Sequence, residues 1–187
     1  MHWIASNSRR LTAHAELASA PPSQRERGDW FVLRTRSRQE KILAGDLHSN
    51  RIDYFLPLLR TERMYCNRRI SVEMPMFPGY LFLRGTVDDA YWADRTRRVA
   101  QIIPVPDQAR LDRELTALAT ALASNATLDP YPYLQKGVRV TVRSGPLRGL
   151  QGLIEDRTRR HRIILQIEAL GQAVSLEVDA ANVELTE

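Results

Sequence analysis

The chain has 187 residues, 43% hydrophobic and 26% charged, a composition suited to folded globular domains rather than to a disordered chain. Its formal net charge is +5 and Lys41 and Lys136 are its only lysines, so the positive charge is almost all arginine, whose planar fork suits phosphate and makes nucleic acid a candidate partner. The single cysteine, Cys66, excludes an intrachain disulfide and a cysteine-based zinc site, and no apolar run approaches the roughly 18 residues that span a membrane, so a cytoplasmic location is expected.

Residues 1–27, rich in Ala, Ser, Arg and Pro, are expected to be a flexible N-terminal extension. Trp30-Phe31-Val32-Leu33 is a short apolar run suited to a buried strand. Ser37 and Glu40 have the spacing of a capping box, and Ile42, Leu43 and Leu47 mark one apolar face, which predicts a helix over 38–50. Tyr54-Phe55-Leu56 begins another strand, and residues 60–75 read as a charged hairpin with Cys66-Asn67-Arg68 at its tip. Pro78-Gly79 then turns the chain into the strand Tyr80–Arg84. Side chains alternate along a strand, so Tyr80 and Phe82 share one face and Leu81 and Leu83 the other. The two leucines supply a core face, so the two rings are expected to form an outward apolar platform.

Asp88 is expected to cap a short helix holding Tyr91 and Trp92, Val99 to Val105 reads as a strand, and Leu111, Leu115, Leu118 and Leu122 recur at helical spacing. This order predicts an α+β domain over 28–123, an antiparallel sheet with helices packed against one face. Residues 124–135 lack periodicity and read as a linker. From residue 136 the pattern is all-β: Val138, Val140 and Val142 alternate with polar residues, as do Ile163, Leu165, Ile167 and Val174, Leu176, Val178. Several short strands in so few residues predict a small closed barrel over 136–187. Residues 124–187 carry eight charges of each sign, so nucleic-acid contacts are expected earlier in the chain.

The four histidines are scattered without metal-ligand spacing, and there is no Walker-type loop, dinucleotide turn or nucleophile elbow. The chain reads as non-enzymatic, with no cofactor and no metal.

Trp30–Leu33, a helix, and then Met76-Phe77-Pro78-Gly79-Tyr80-Leu81-Phe82 resemble the N-terminal (NGN) domain of the NusG/RfaH family. The run Gly137 to Gly152, and Gly171 followed by Val174–Val178, resemble that family's KOW domain, an SH3-like barrel. The resemblance implies a monomeric transcription elongation/antitermination factor that binds the clamp helices of the largest RNA polymerase subunit and suppresses pausing or termination. Its KOW domain would recruit a second factor, Rho or a small-subunit ribosomal protein. Carried onto this sequence, Trp30, Phe77, Tyr80 and Phe82 would meet polymerase. Arg36, Arg38 and Lys41, then Arg95, Arg97 and Arg98, would face the non-template DNA strand, and Arg68 and Arg69 would reach upstream DNA or polymerase from the hairpin. Leu170 and Gly171 would meet the KOW partner.

Arg34 stands where the RfaH pattern has a tyrosine, so that part of the pocket wall is not carried over. With the arginine-rich extension, this divergence favours a specialised paralogue, of the kind that serves polysaccharide operons, over the housekeeping factor. RfaH can refold its C-terminal domain into a helical hairpin; the valines of this C-terminal segment favour strand. The alternative is a general RNA-binding or ribosome-associated KOW protein, which would call for a basic barrel where this one is neutral.

Overall fold

The computed structural model describes residues 28–65, 68–124, 128–131, 137–155 and 162–186, with the backbone of Thr12–His14. The first part of the chain runs β1 (Thr12–His14), β2 (Asp29–Thr35), α1 (Glu40–Ser49), β3 (Asp53–Phe55), β4 (Leu58–Tyr65), β5 (Arg68–Pro75), β6 (Tyr80–Gly85), α2 (Val87–Arg95), β7 (Val99–Ile103) and α3 (Gln108–Ala123). Strands β3, β6, β2 and β7 lie side by side in that order, every neighbouring pair antiparallel. This bears out the expected α+β architecture with an antiparallel sheet.

The sheet is covered on both faces, not one. Leu33, Leu81 and Leu83 pack with Leu43 and Leu47 of α1 and Ala93 of α2. On the opposite face Trp30, Val32 and Phe82 pack with Leu111, Leu115 and Leu118 of α3. The alternation read along Tyr80–Leu83 is correct, but each of its two faces has a helical cover. A sheet buried on both sides hides the apolar residues of either parity.

The helix starts differ from expectation. In α1 the N-cap is Gln39, without a side-chain cap, because Arg38 adopts a left-handed conformation (φ 60°) and places Ser37 outside the first turn. Glu40 therefore does not complete a capping box. In α2 the cap is Thr86, not Asp88: its Oγ1 accepts from the Asp89 N–H while its own N–H donates to Asp89 Oδ2 at 2.8 Å. In α3 the Asp107 carboxylate accepts from the Arg110 N–H at 2.8 Å.

The expected hairpin is present as β4 and β5, paired from Leu58↔Pro75 to Tyr65↔Arg68; Cys66 and Asn67 at its tip lie outside the described residues. Thr12–His14, inside the expected flexible extension, pairs with Leu58–Arg60 and completes a β1-β4-β5 sheet; the rest of 1–27 lies outside the described residues.

The second part contains β8 (Leu128–Tyr131), β9 (Val138–Val142), β10 (Gln151–Ile154), β11 (Arg162–Ile167), β12 (Gln172–Glu177) and β13 (Val183–Leu185), in the spatial order β13-β9-β10-β11-β12-β8, all antiparallel. Strand β8 falls inside the expected linker yet pairs with β12; Pro130, which cannot donate to a ladder, is tolerated because β8 is an edge strand. Along β11 the alternation fails, since Ile163, Ile164 and Leu165 are all buried. Helix α3 packs against β2 and also against β11, so one helix is shared between the two parts.

Gly152 marks the tightest approach in the second sheet. A Cβ there would lie 2.2 Å from Ile163 Cγ2 and 3.0 Å from the Ile164 carbonyl oxygen. Gly152→Ala is therefore expected to cost about 1–3 kcal/mol through overpacking. Urea unfolding of the full chain checks this; an unchanged midpoint would show that β10 and β11 are not so closely paired.

Candidate functional site

The four aromatic residues singled out in the sequence lie on or beside the α3-covered face, and three of them are sealed. Phe82 is 0% exposed, with Phe77 edge-on to it (centroids 6.3 Å apart, 87° between planes) and Phe55 tilted against it at 6.3 Å. Trp30 and Phe77 are also buried. The expected outward platform of two rings is thus corrected: α3 lies over that face, and Phe82 is part of the core. Tyr80 is the exception. It is half-buried, packed on the edge of the same cluster, and stands opposite Arg34 across the β2–β6 ladder.

Trp30 is fixed by residues that local sequence patterns do not single out. Its indole Nε1–H donates to Asp112 Oδ1 at 2.9 Å, and Arg84 donates to the same oxygen at 2.7 Å with its guanidinium 5.2 Å from the indole ring centre. The Gln108 side chain both accepts from the Trp30 N–H (2.7 Å) and donates to the Trp30 carbonyl (3.0 Å). These contacts pin α3 onto the sheet. A signal was available in retrospect: Asp112 sits beside the apolar stripe of α3, and a buried indole N–H requires an acceptor.

The basic residues divide into two groups. The Arg36 N–H donates to the Arg98 carbonyl at 2.8 Å, which brings the β2–α1 loop against the turn after α2. Arg36, Arg38 and Arg97 are exposed on these two adjoining segments, with Arg34 beside them. Lys41 and Arg95 are exposed on α1 and α2. Arg98 is different: it donates to Asp46 at 2.6 Å and to Gln39 Oε1 at 2.9 Å, and so braces α1. Arg68 and Arg69 open β5, their side chains lying outside the described residues.

Leu170 and Gly171 end a single 3-10 turn, Glu168–Leu170, in which Gly171 takes φ +60°. Leu170 is half-buried against the core and Gly171 exposed. The turn faces α3: the Glu168 N–H donates to Glu114 Oε2 at 3.1 Å, and Arg110 pairs with both the Glu114 and Glu168 carboxylates. Burial pushes the Glu114 carboxyl above its usual value, against the opposing pull of the Arg110 hydrogen bond.

Residues 28–117 match the family model described as transcription termination factor nusG. Residues 28–117 carry the NusG-family domain. Transcription termination/antitermination proteins NusG are similar to it over 83% of its length: that of Borreliella burgdorferi at 19% identity across 97% of the relative, that of Escherichia coli K12 at 24% across 94%, and that of Yersinia pestis at 22% across 94%. The NusG family comprises transcription factors rather than enzymes, which act in the regulation of elongation and antitermination. Among the described residues of this NusG relative, no helix is long and apolar enough to cross a membrane, and no three His, Cys, Asp or Glu side chains gather as a metal site.

Two outcomes follow from this geometry. Phe82→Ala is expected to cost about 3–5 kcal/mol of folding stability, as for a sealed core ring; a variant as stable as the wild type would put Phe82 back at the surface. Because the folded pKa of Glu114 is raised, the stability it contributes is fully present below the ordinary carboxyl value of 4.5 and is lost as pH rises through the folded value. Glu114→Gln removes that titration, so the stability of the wild type relative to the variant should fall between pH 4.5 and neutrality, as read by denaturant unfolding across that range.

Proposed function

We propose that this chain is a transcription termination/antitermination factor that rides on elongating RNA polymerase, with Tyr80 as its aromatic contact to the clamp helices. The observation that carries this reading is the contrast within β6: Phe82 is sealed while Tyr80, on the same face, is only partly buried and stands opposite the exposed Arg34. Tyrosine and arginine are enriched among the residues whose truncation costs most at interfaces. Phe77, whose carbonyl accepts from the Tyr80 N–H, supports that contact, while Trp30, opposite Arg84 toward the other end of the ladder, holds α3 to the sheet. The exposed Arg36, Arg38 and Arg97, with Lys41 and Arg95 on the neighbouring helices, suit a single strand of DNA, holding its phosphates and stacking on its bases. In this reading the C-terminal six-stranded sheet is the KOW SH3-like barrel, and a second factor, Rho or a small-subunit ribosomal protein, is recruited at Leu170 and Gly171. Action in the cytoplasm on polysaccharide operons, as a specialised paralogue, belongs to the same proposal.

Two measurements on the full chain test it. Tyr80→Ala should weaken binding to purified RNA polymerase by about tenfold or more while leaving thermal unfolding nearly unchanged. Arg36→Ala with Arg97→Ala should weaken single-stranded DNA binding and flatten its dependence on salt by about one unit of slope or more. Wild-type polymerase affinity in the first variant would defeat the clamp reading; an unaltered salt slope in the second would defeat the DNA reading.

A further inference from the structure

Glu40 has the sequence signature of a helix cap and does something else. Its residue is 6% exposed, and its Oε1 accepts from the Gly79 N–H at 2.6 Å, across 39 residues of chain. This is the short distance of a charge-assisted hydrogen bond. The other edge of Gly79 is also held: its carbonyl accepts from the Thr35 N–H at 2.8 Å. Gly79 itself has φ +84°, and the Tyr80 N–H closes the turn onto the Phe77 carbonyl at 3.1 Å. The turn that launches Tyr80 is therefore gripped from one side by the end of β2 and from the other by the start of α1. Arg98, through Gln39 and Asp46, fixes that start of α1 in turn.

Burying a carboxylate carries a desolvation cost that a neutral residue would avoid, and an isolated buried charge is weak evidence for stability alone. With Arg38 left-handed and Gln39 at the N-cap, Glu40 is not spent on capping its own helix. We infer that Glu40 is a positioning residue: its buried carboxylate sets the Phe77–Tyr80 turn so that Tyr80 is presented to RNA polymerase next to the arginines of the β2–α1 loop. The inference rests on the proposed role of Tyr80 as a polymerase contact. It adds that the loop offering cations and the turn offering the ring are joined as one unit at Gly79, through its N–H to Glu40 and its carbonyl to the Thr35 N–H. Glu40 itself touches no partner; it acts through Gly79.

The test is a double-mutant cycle on affinity for purified RNA polymerase, using the full chain. Glu40→Ala should weaken binding about tenfold, the scale of one charge-assisted hydrogen bond. Glu40→Asp keeps the charge but is one methylene short of Gly79, and should lose as much. Glu40→Gln keeps an acceptor at full reach, and should stay within about threefold of wild type. In a Tyr80→Ala background, Glu40→Ala should change affinity less than about twofold, because the ring it positions is gone. Should the alanine variant fail to fold, the comparison of Asp with Gln carries the test. Wild-type affinity in the Ala and Asp variants would overturn the inference, as would an equal Glu40→Ala loss with and without Tyr80. If Tyr80→Ala alone binds like wild type, the contact role of Tyr80 falls and this inference falls with it; a strong Tyr80→Ala effect with no effect at Glu40 leaves the contact role standing and removes only the positioning role.

Discussion

The burial of both faces of the β3-β6-β2-β7 sheet is the constraint from which the rest of the first domain follows. With α1 and α2 on one side and α3 on the other, neither face of this sheet is left open among the described residues. What can reach outward are the strand ends and the loops that leave them. Tyr80 begins β6, and the arginines leave β2, so the exposed chemistry gathers where one strand begins and its neighbour finishes. The hydrogen bonds of Trp30 to Asp112 and Gln108 hold α3 in place and so keep Phe82 sealed. They sit in a half-buried setting where a charge-assisted bond is stronger than in water.

The arginine surplus visible in the composition turns out to be heterogeneous. Arg84 and Arg98 are structural, the first tying β6 to α3 and the second tying the turn after α2 to α1. Arg36, Arg38 and Arg97 keep their guanidinium groups in solvent. Counting cations from sequence treats these alike, although only the second kind has charge to offer to a phosphate backbone.

Much of the architecture was legible because it depends on short-range patterns. The Leu111–Leu122 stripe, the 60–75 hairpin and the parity of Tyr80–Leu83 come from side-chain periodicity, and all are present. What stayed hidden depends on tertiary placement. Parity says which residues share a face of β6, not whether a helix will cover that face, so Phe82 read as an open ring. The Ser37–Glu40 spacing fits a capping box only if the intervening residues are helical, and a left-handed Arg38 breaks that condition. The partners of Trp30 and Glu40 lie 82 and 39 residues away, beyond any local rule. Strand β8 is short and contains a proline, so its sequence resembles a linker, yet an edge position asks little of it.

Helix α3 is wedged between β2 and β11, with Arg110 and Glu114 meeting the Glu168 turn at the seam. A helix that lends one flank to each neighbour couples the packing of one to the packing of the other. Cutting the chain after residue 124 would strip α3 of its β11 neighbour and take the Glu168 turn away from Arg110 and Glu114.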